Sequence, residues 1–358
     1  MLATYLIYNL TLIFGGGLAF LSQIENKKVY KDVLYTLSFF IVWLVGAFRY
    51  NVGTDYPNYV YIFENIDEYE FGKLEPLYYL LNQLILYLNL DAQWLFFVTS
   101  FIITFFVYKV GKNYHRGWFV VFFILLFYFQ SFNIVRQIVA MSIMLYGIHS
   151  LIHSSNWKFL ICILFAAGFH YSAFIFLPLF IFRKVRIGWF TGIIMLCLCL
   201  FIITKLDIVN IILQNPIIQD SKYGVYAFNE YNKETEIGSG VGIVIQLLIP
   251  ISFLLLVIFM KDLKGYSIIS LLCIGFIISM LMTLNVYIFT RVMVMLSSCY
   301  LFAVSYIYNS TFRLKNILLI FLLLINVIMF EHTINIAQFN LYSGLGISPY
   351  QSILGFFL

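Results

Sequence analysis

Chemistry can be argued first from three arginines, Arg49, Arg136 and Arg291. Each borders a long apolar run, and each comes from a different region of the chain. An arginine in or beside such a run must have its desolvation offset by a partner. Its planar fork donates in pairs to phosphate or carboxylate oxygens. The alternative use of each is as an anchor that snorkels to a membrane interface. Taken together they read as a basic site for an anion such as a phosphate or pyrophosphate. The first of them opens the densest polar cluster of the chain, Arg49-Tyr50-Asn51-Val52-Gly53-Thr54-Asp55-Tyr56-Pro57-Asn58-Tyr59. There Asp55 has two readings. It forms an Asx-type turn after Gly53, or it is a site carboxylate that pairs with Arg49 or acts as a base. His170 stands in a mostly apolar stretch. It is either a satisfied core histidine or a base that takes a proton from an attacking hydroxyl.

Tyrosines form the next signal. Tyr56 and Tyr59 lie in the first polar loop, and Tyr223 and Tyr226 in a second. A tyrosine offers an apolar face and a hydroxyl, which suits stacking on sugar rings; the competing use is the aromatic belt of a membrane protein. The residue types also exclude chemistry. No His/Cys/Asp/Glu spacing suits a metal, and no Gly-rich phosphate loop follows a strand. All five cysteines lie inside apolar runs and read as small buried side chains.

The elements that must position these residues are membrane helices. The chain has 358 residues, 63% hydrophobic and 10% charged, which excludes a soluble globule. Apolar runs of about 20 residues recur with short polar breaks, as transmembrane helices require. The net charge of +5 does not point to nucleic acid, because the Lys and Arg are spread through short loops that orient the helices. The fold class is therefore an all-α polytopic membrane protein, a single integral domain over residues 1–358, with about 12 crossings. Residues 2–21 form the first span and 33–48 the second, with the N-terminus outside. An outer loop of about 49–93 contains a short interfacial or re-entrant helix at 76–90. Spans follow at 94–108, 118–134 and 136–152. Residues 157–182 read as a hairpin of two short helices with Phe169-His170-Tyr171 at its outer tip, or alternatively as one span. A span at 187–204 leads to a second outer loop at 205–240. Spans at 241–260, 266–289, 292–308 and 316–330 precede an outer tail, 331–358, with a short interfacial helix at its end. This topology puts Arg49, Arg136 and Arg291 on the outer side, where the positive-inside bias disfavours them.

Four motifs in this order resemble the EpsG family, Wzy-like polymerases of bacterial capsule and exopolysaccharide assembly. They are Arg49-x-x-x-Gly53-Thr54-Asp55-Tyr56-x-x-Tyr59, Glu75-Pro76-Leu77-Tyr78, Phe132-Asn133-Ile134-x-Arg136-Gln137-x-x-Ala140, and Ala167-x-x-His170-x-Ser172-Ala173 with Pro178. The resemblance covers about 33–186; the C-terminal half matches in layout, with a large outer loop and then Arg291 on a late helix. It implies a GT-C-like, O-antigen-polymerase-like fold in the bacterial cytoplasmic membrane. It implies joining of oligosaccharide units carried on undecaprenyl diphosphate, both donor and acceptor, at the outer face. No cofactor or metal is implied, and a flippase and a chain-length regulator would be partners. On this reading Arg136, Arg291 and Arg49 hold the diphosphate, and His170 or Asp55 is the base. Tyr56, Tyr59, Glu75, Asn133, Gln137, Tyr223 and Tyr226 contact sugar. Competing functions are a flippase for the same lipid-linked sugars, an O-antigen-ligase-like transferase, and a non-catalytic export scaffold. A flippase would carry its charges through the bilayer depth rather than at one face.

Overall fold

A computed structural model describes residues 2–69, 73–185, 240–283, 289–339 and 345–355, and between 186 and 239 only 190, 192–194, 197 and 201. The outer loop at 205–239, with Tyr223 and Tyr226, and most of the span expected at 187–204 lie outside the described residues. The described chain is helical, and its only strand-like pairing is an isolated antiparallel bridge between Arg49 and Ser352.

Seven of the described helices are long and apolar enough to cross a membrane. They are α1 (Leu2–Ile24), α2 (Lys28–Ala47), α5 (Gln93–Gly111), α8 (Val135–Ile152), α12 (Tyr266–Thr283), α13 (Phe289–Asn309) and a last helix, α14, whose apolar part is Lys315–Ala337. Between them lie α3 (Tyr56–Glu64), α4 (Pro76–Tyr87) and the one-turn α7 (Gln130–Asn133). Shorter apolar helices are α6 (Arg116–Phe127), α9 (Asn156–Phe169), α10 (Tyr171–Phe182) and α11 (Val241–Leu255). The chain divides into two compact units, one of Met1–Phe174 with Ile317–Leu358, the other of Ile175–Asn316.

The first unit is built around α8. Of its apolar window 83% is buried, against 22% for α2, so α8 is the central helix and α2 a peripheral one. Small residues let its neighbours close in: a Cβ on Gly147 would lie 3.0 Å from Cβ of Cys162 on α9. The Gly15-Gly16-Gly17 run widens α1 into a π-turn over Thr11–Gly16. A Cβ on Gly15 would stand 2.8 Å from Val42 and one on Gly16 2.6 Å from Val121, so two of the three glycines admit close helix contact. Large apolar side chains such as Leu2, Ile13, Leu164 and Phe165 are exposed, as befits helices facing lipid rather than water.

Two sequence expectations change here. The last helix continues past residue 330 as Lys315–Phe339. The described end of the tail, 345–355, is an irregular strap with turns at both ends rather than an interfacial helix. The short helix expected at 76–90 is present as α4, and the expected break at His170 separates α9 from α10. In the second unit α11, α12 and α13 pack together, with the Tyr300 hydroxyl donating to the Gln246 carbonyl at 2.9 Å.

Candidate functional site

The polar loop after α2 is held from three sides. Its backbone turns at Gly53, whose φ is +107°, a region that favours glycine. A Cβ there would also stand 2.6 Å from the Phe132 carbonyl oxygen. Arg49 reaches back under the turn and is 1% exposed. Its Nη1 donates to the Val52 carbonyl at 2.6 Å and the Phe132 carbonyl at 2.7 Å. Its guanidinium lies 4.8 Å from the Phe96 ring and 4.7 Å from the Phe132 ring, a cation–π sandwich. Burial lowers its pKa to about 10, so the side chain still carries its charge near neutrality. Arg49 is thus spent on two carbonyls and two rings. These contacts make it part of the scaffold of the turn, and its Nε is buried without a hydrogen-bond partner.

Asn133 performs the matching function from α7. Its Oδ1 accepts from the backbone N–H and the hydroxyl of Thr54, both at 2.6 Å. Its Nδ2 donates to the Leu345 carbonyl at 3.0 Å and the Phe129 carbonyl at 3.3 Å. With all its polar capacity engaged, Asn133 holds the loop in place. Tyr56 is likewise built in: its ring stacks on Phe96 at 4.2 Å and its hydroxyl donates to Gln93 Oε1 at 3.0 Å. Gln93 in turn donates to the carbonyls of Ala47 and Arg49, closing the C-terminal end of α2.

The third side is the strap. Tyr50 N–H donates to Gln351 at 2.9 Å, Gly53 N–H to Gly346 at 2.8 Å, and Ile353 N–H to Phe48 at 3.1 Å. Tyr350 anchors it, accepting nothing from the loop but donating its hydroxyl to Val45 and its N–H to the Thr4 hydroxyl. Tyr8 donates to the Ile347 carbonyl at 2.7 Å. Gly346 has φ +60°, and a Cβ there would be 2.9 Å from Thr54 N.

Beside this scaffold lies a charged cluster. Arg136, in the first turn of α8, pairs with Glu75 at 2.6 Å between Nη1 and Oε2. The Arg136 side chain is 23% exposed and that of Glu75 8%, so the open side of the pair belongs to the arginine. A cation at a helix N-terminus opposes the helix dipole. Its presence there, with the α8 amide end, suits an anion. The Tyr78 ring lies 5.1 Å from the guanidinium. The Tyr59 hydroxyl interacts with both the backbone and the side chain of Arg136. Burial raises the Tyr59 pKa, with Arg136 pulling it down and the charge of Asp55 pushing it up. Asp55 precedes α3, and its side chain makes no capping bond to that helix. The Tyr78 hydroxyl and Asn82 Oδ1, one turn apart on α4, are buried without a hydrogen-bond partner.

His170 sits where α9 ends, with extended backbone and 8% exposure. Its Nδ1 accepts the Ser172 N–H at 3.2 Å and lies 2.6 Å from the Ser172 hydroxyl. Accepting the Ser172 N–H on Nδ1 leaves the proton of a neutral His170 on Nε2. Gly168 docks α9 on α4, where a Cβ would stand 2.4 Å from Leu77. Gln137 is buried one residue after Arg136. Arg291 belongs to the second unit, in the first turn of α13, and is exposed. The structure thus brings together Asp55, Tyr59, Glu75 and Arg136 among the expected residues. Sequence reasoning missed Gln93, Asn82 and the strap; the Gly/Ser/Pro content of residues 343–349 signals a loop, but not where it docks.

Among the described residues no cluster of His, Cys, Asp and Glu could hold a metal ion. A family model described as the EpsG family matches residues 32–352. No curated protein and no solved structure matches the chain.

Proposed function

The chain belongs to the EpsG family, and from that premise we propose that it polymerises oligosaccharide units carried on undecaprenyl diphosphate. The work is done at the outer face of the bacterial cytoplasmic membrane, for capsule or exopolysaccharide. The growing chain leaves its lipid diphosphate and is joined to a sugar hydroxyl of the next lipid-linked unit. The family supports the coarser part of this reading, a polysaccharide-polymerase, glycosyltransferase-like activity in a multi-pass membrane protein.

One observation carries the chemistry: Arg136 stands partly open at the N-terminus of α8, beside a carboxylate and a tyrosine hydroxyl. As the glycosidic bond to phosphate breaks, negative charge grows on the diphosphate. Arg136 and the α8 amides stabilise that charge. The leaving group needs no nucleotide and no metal. Asp55 borders the same cluster through Tyr59 and remains a candidate base. His170, protonated on Nε2, is better suited to donate to a sugar or phosphate oxygen than to accept a proton. On the same reading Arg291 is a further diphosphate contact, and Tyr223 and Tyr226 are sugar contacts. A flippase and a chain-length regulator would supply units and set product length.

The test is reconstitution with undecaprenyl-diphosphate-linked oligosaccharide in proteoliposomes. A ladder of polymer is expected. Arg136→Ala should lower its rate by about 10²–10³-fold, the usual cost of losing a donor to developing charge, and Arg136→Lys by less, since it keeps charge but not the fork. Movement of units across the bilayer without any ladder would instead establish a flippase.

A further inference from the structure

The Glu75–Arg136 pair is unusual for its position. Glu75 is the residue before α4, with Pro76 fixing the first helical position. A side chain there ordinarily caps the free amides of its own helix. Glu75 makes no such bond. Its carboxylate instead spans 61 positions of sequence to reach Arg136. The pair is also lopsided, with the carboxylate nearly covered and the guanidinium accessible. An incoming diphosphate meets Arg136 first, and it brings more negative charge than one carboxylate.

We infer that Glu75 is the resident counter-ion of Arg136, that the donor's diphosphate displaces it, and that the released carboxylate accepts the proton of the acceptor hydroxyl. This rests on the polymerase reading. Once displaced from Arg136, the carboxylate has the oxygen that held the guanidinium free to accept a hydrogen bond from an acceptor hydroxyl. Donor binding thereby frees the base at the moment it is needed, and in the empty site the same oxygen is engaged by Arg136. The step balances. The acceptor O–H proton moves to Glu75, and the freed oxygen pair forms the bond to the anomeric carbon. The bond from that carbon to the phosphate oxygen breaks, and its electron pair leaves with undecaprenyl diphosphate on Arg136. The proton on Glu75 passes to solvent as the diphosphate departs and the ion pair re-forms. The titratable groups around the pair are Arg136 from α8, Tyr59 from α3, Tyr78 from α4, and Asp55 at the start of α3.

Two measurements test this on the full chain. In proteoliposomes, Glu75→Gln is expected to slow polymerisation by about 10²–10⁴-fold, the contribution of a general base. Undecaprenyl diphosphate alone should bind that variant at least as tightly as the native protein, because its competitor for Arg136 is gone. Glu75→Asp should restore part of the rate and shift the acid limb of the rate–pH profile. Polymer at the native rate from Glu75→Gln overturns the assignment. So does weaker diphosphate binding by a Glu75→Gln protein with native thermal stability, since Glu75 would then hold the ligand rather than compete with it. If Glu75→Gln does not fold, an unshifted acid limb in Glu75→Asp is the overturning result. If the native protein makes no polymer from these units, the polymerase reading fails, while the binding comparison still decides the displacement.

Discussion

The same side-chain type does opposite work at two positions. Arg49 and Arg136 both border apolar helices, yet Arg49 is 1% exposed and bonded to carbonyls, while Arg136 keeps an open side and a carboxylate partner. Burial decides the difference: the Arg49 guanidinium is enclosed by rings and carbonyls, while that of Arg136 keeps an open side. Gly53 makes the Arg49 arrangement possible, and its replacement is a direct check. Gly53→Ala would place a Cβ 2.6 Å from the Phe132 oxygen in a backbone region of φ +107°. The expected cost is about 1–3 kcal/mol, read as a lower unfolding temperature in detergent. An unchanged temperature would mean the loop is not held as described. A titrating residue offers a second check at the opposite end of the unit. His115 caps α6 by accepting the Trp118 N–H on Nδ1 at 3.2 Å, and burial lowers its pKa from 6.5 to about 4. The unfolded imidazole therefore protonates first as pH falls. Stability should be full above pH 6.5 and decline as pH falls from 6.5 towards 4. His115→Asn keeps a capping side chain and should flatten that part of the stability–pH curve; an equally steep curve would assign the slope to other groups.

At the scale of elements, the site is assembled from helix ends rather than helix bodies. The ends of α2 and α7 and the starts of α3, α4 and α8 meet beside the strap, where backbone groups left over by the helices find partners in side chains and in one another. The strap supplies carbonyls to Tyr50, Gly53 and Thr54. Deleting residues 345–358 should therefore speed hydrogen exchange at those three amides more than in α8. Protection equal to that of the intact chain would show that the loop is held without the strap. The sequence made α4 and α8 legible through Pro76 and the apolar runs at 76–90 and 136–152, whereas α3 (Tyr56–Glu64) lies in a stretch that reads as loop. The strap was not legible, because its bonds use backbone atoms, which every residue carries alike.

For the whole first unit, the bond from Tyr350 N–H to Thr4 and the bridge from Ser352 to Arg49 put both chain ends and the polar loop at one end of the bundle. The chain must then cross the membrane an even number of times. Seven helices are long and apolar enough to cross, an odd number, so either one of them does not cross or a shorter apolar helix or a segment outside the described residues also does. Single cysteines at Leu2 and Leu354, both exposed, should be labelled by an impermeant maleimide from the same side in a background lacking Cys197. Labelling from opposite sides would break this parity.

Composition excluded a soluble globule, with 63% of residues hydrophobic, and the recurring apolar runs of about 20 residues made the membrane helices legible. Order and spacing of motifs carried the family resemblance, which the match over 32–352 bears out. Charge bookkeeping singled out the arginines but could not rank them, since an arginine reads the same whether it faces carbonyls or solvent. Tertiary structure made that distinction. It withdrew Arg49, Asn133 and Tyr56 into the scaffold and joined Glu75 to Arg136 across 61 positions of chain. The physical reason is that burial and partner geometry are properties of packing between helices, and no local pattern of residues encodes them.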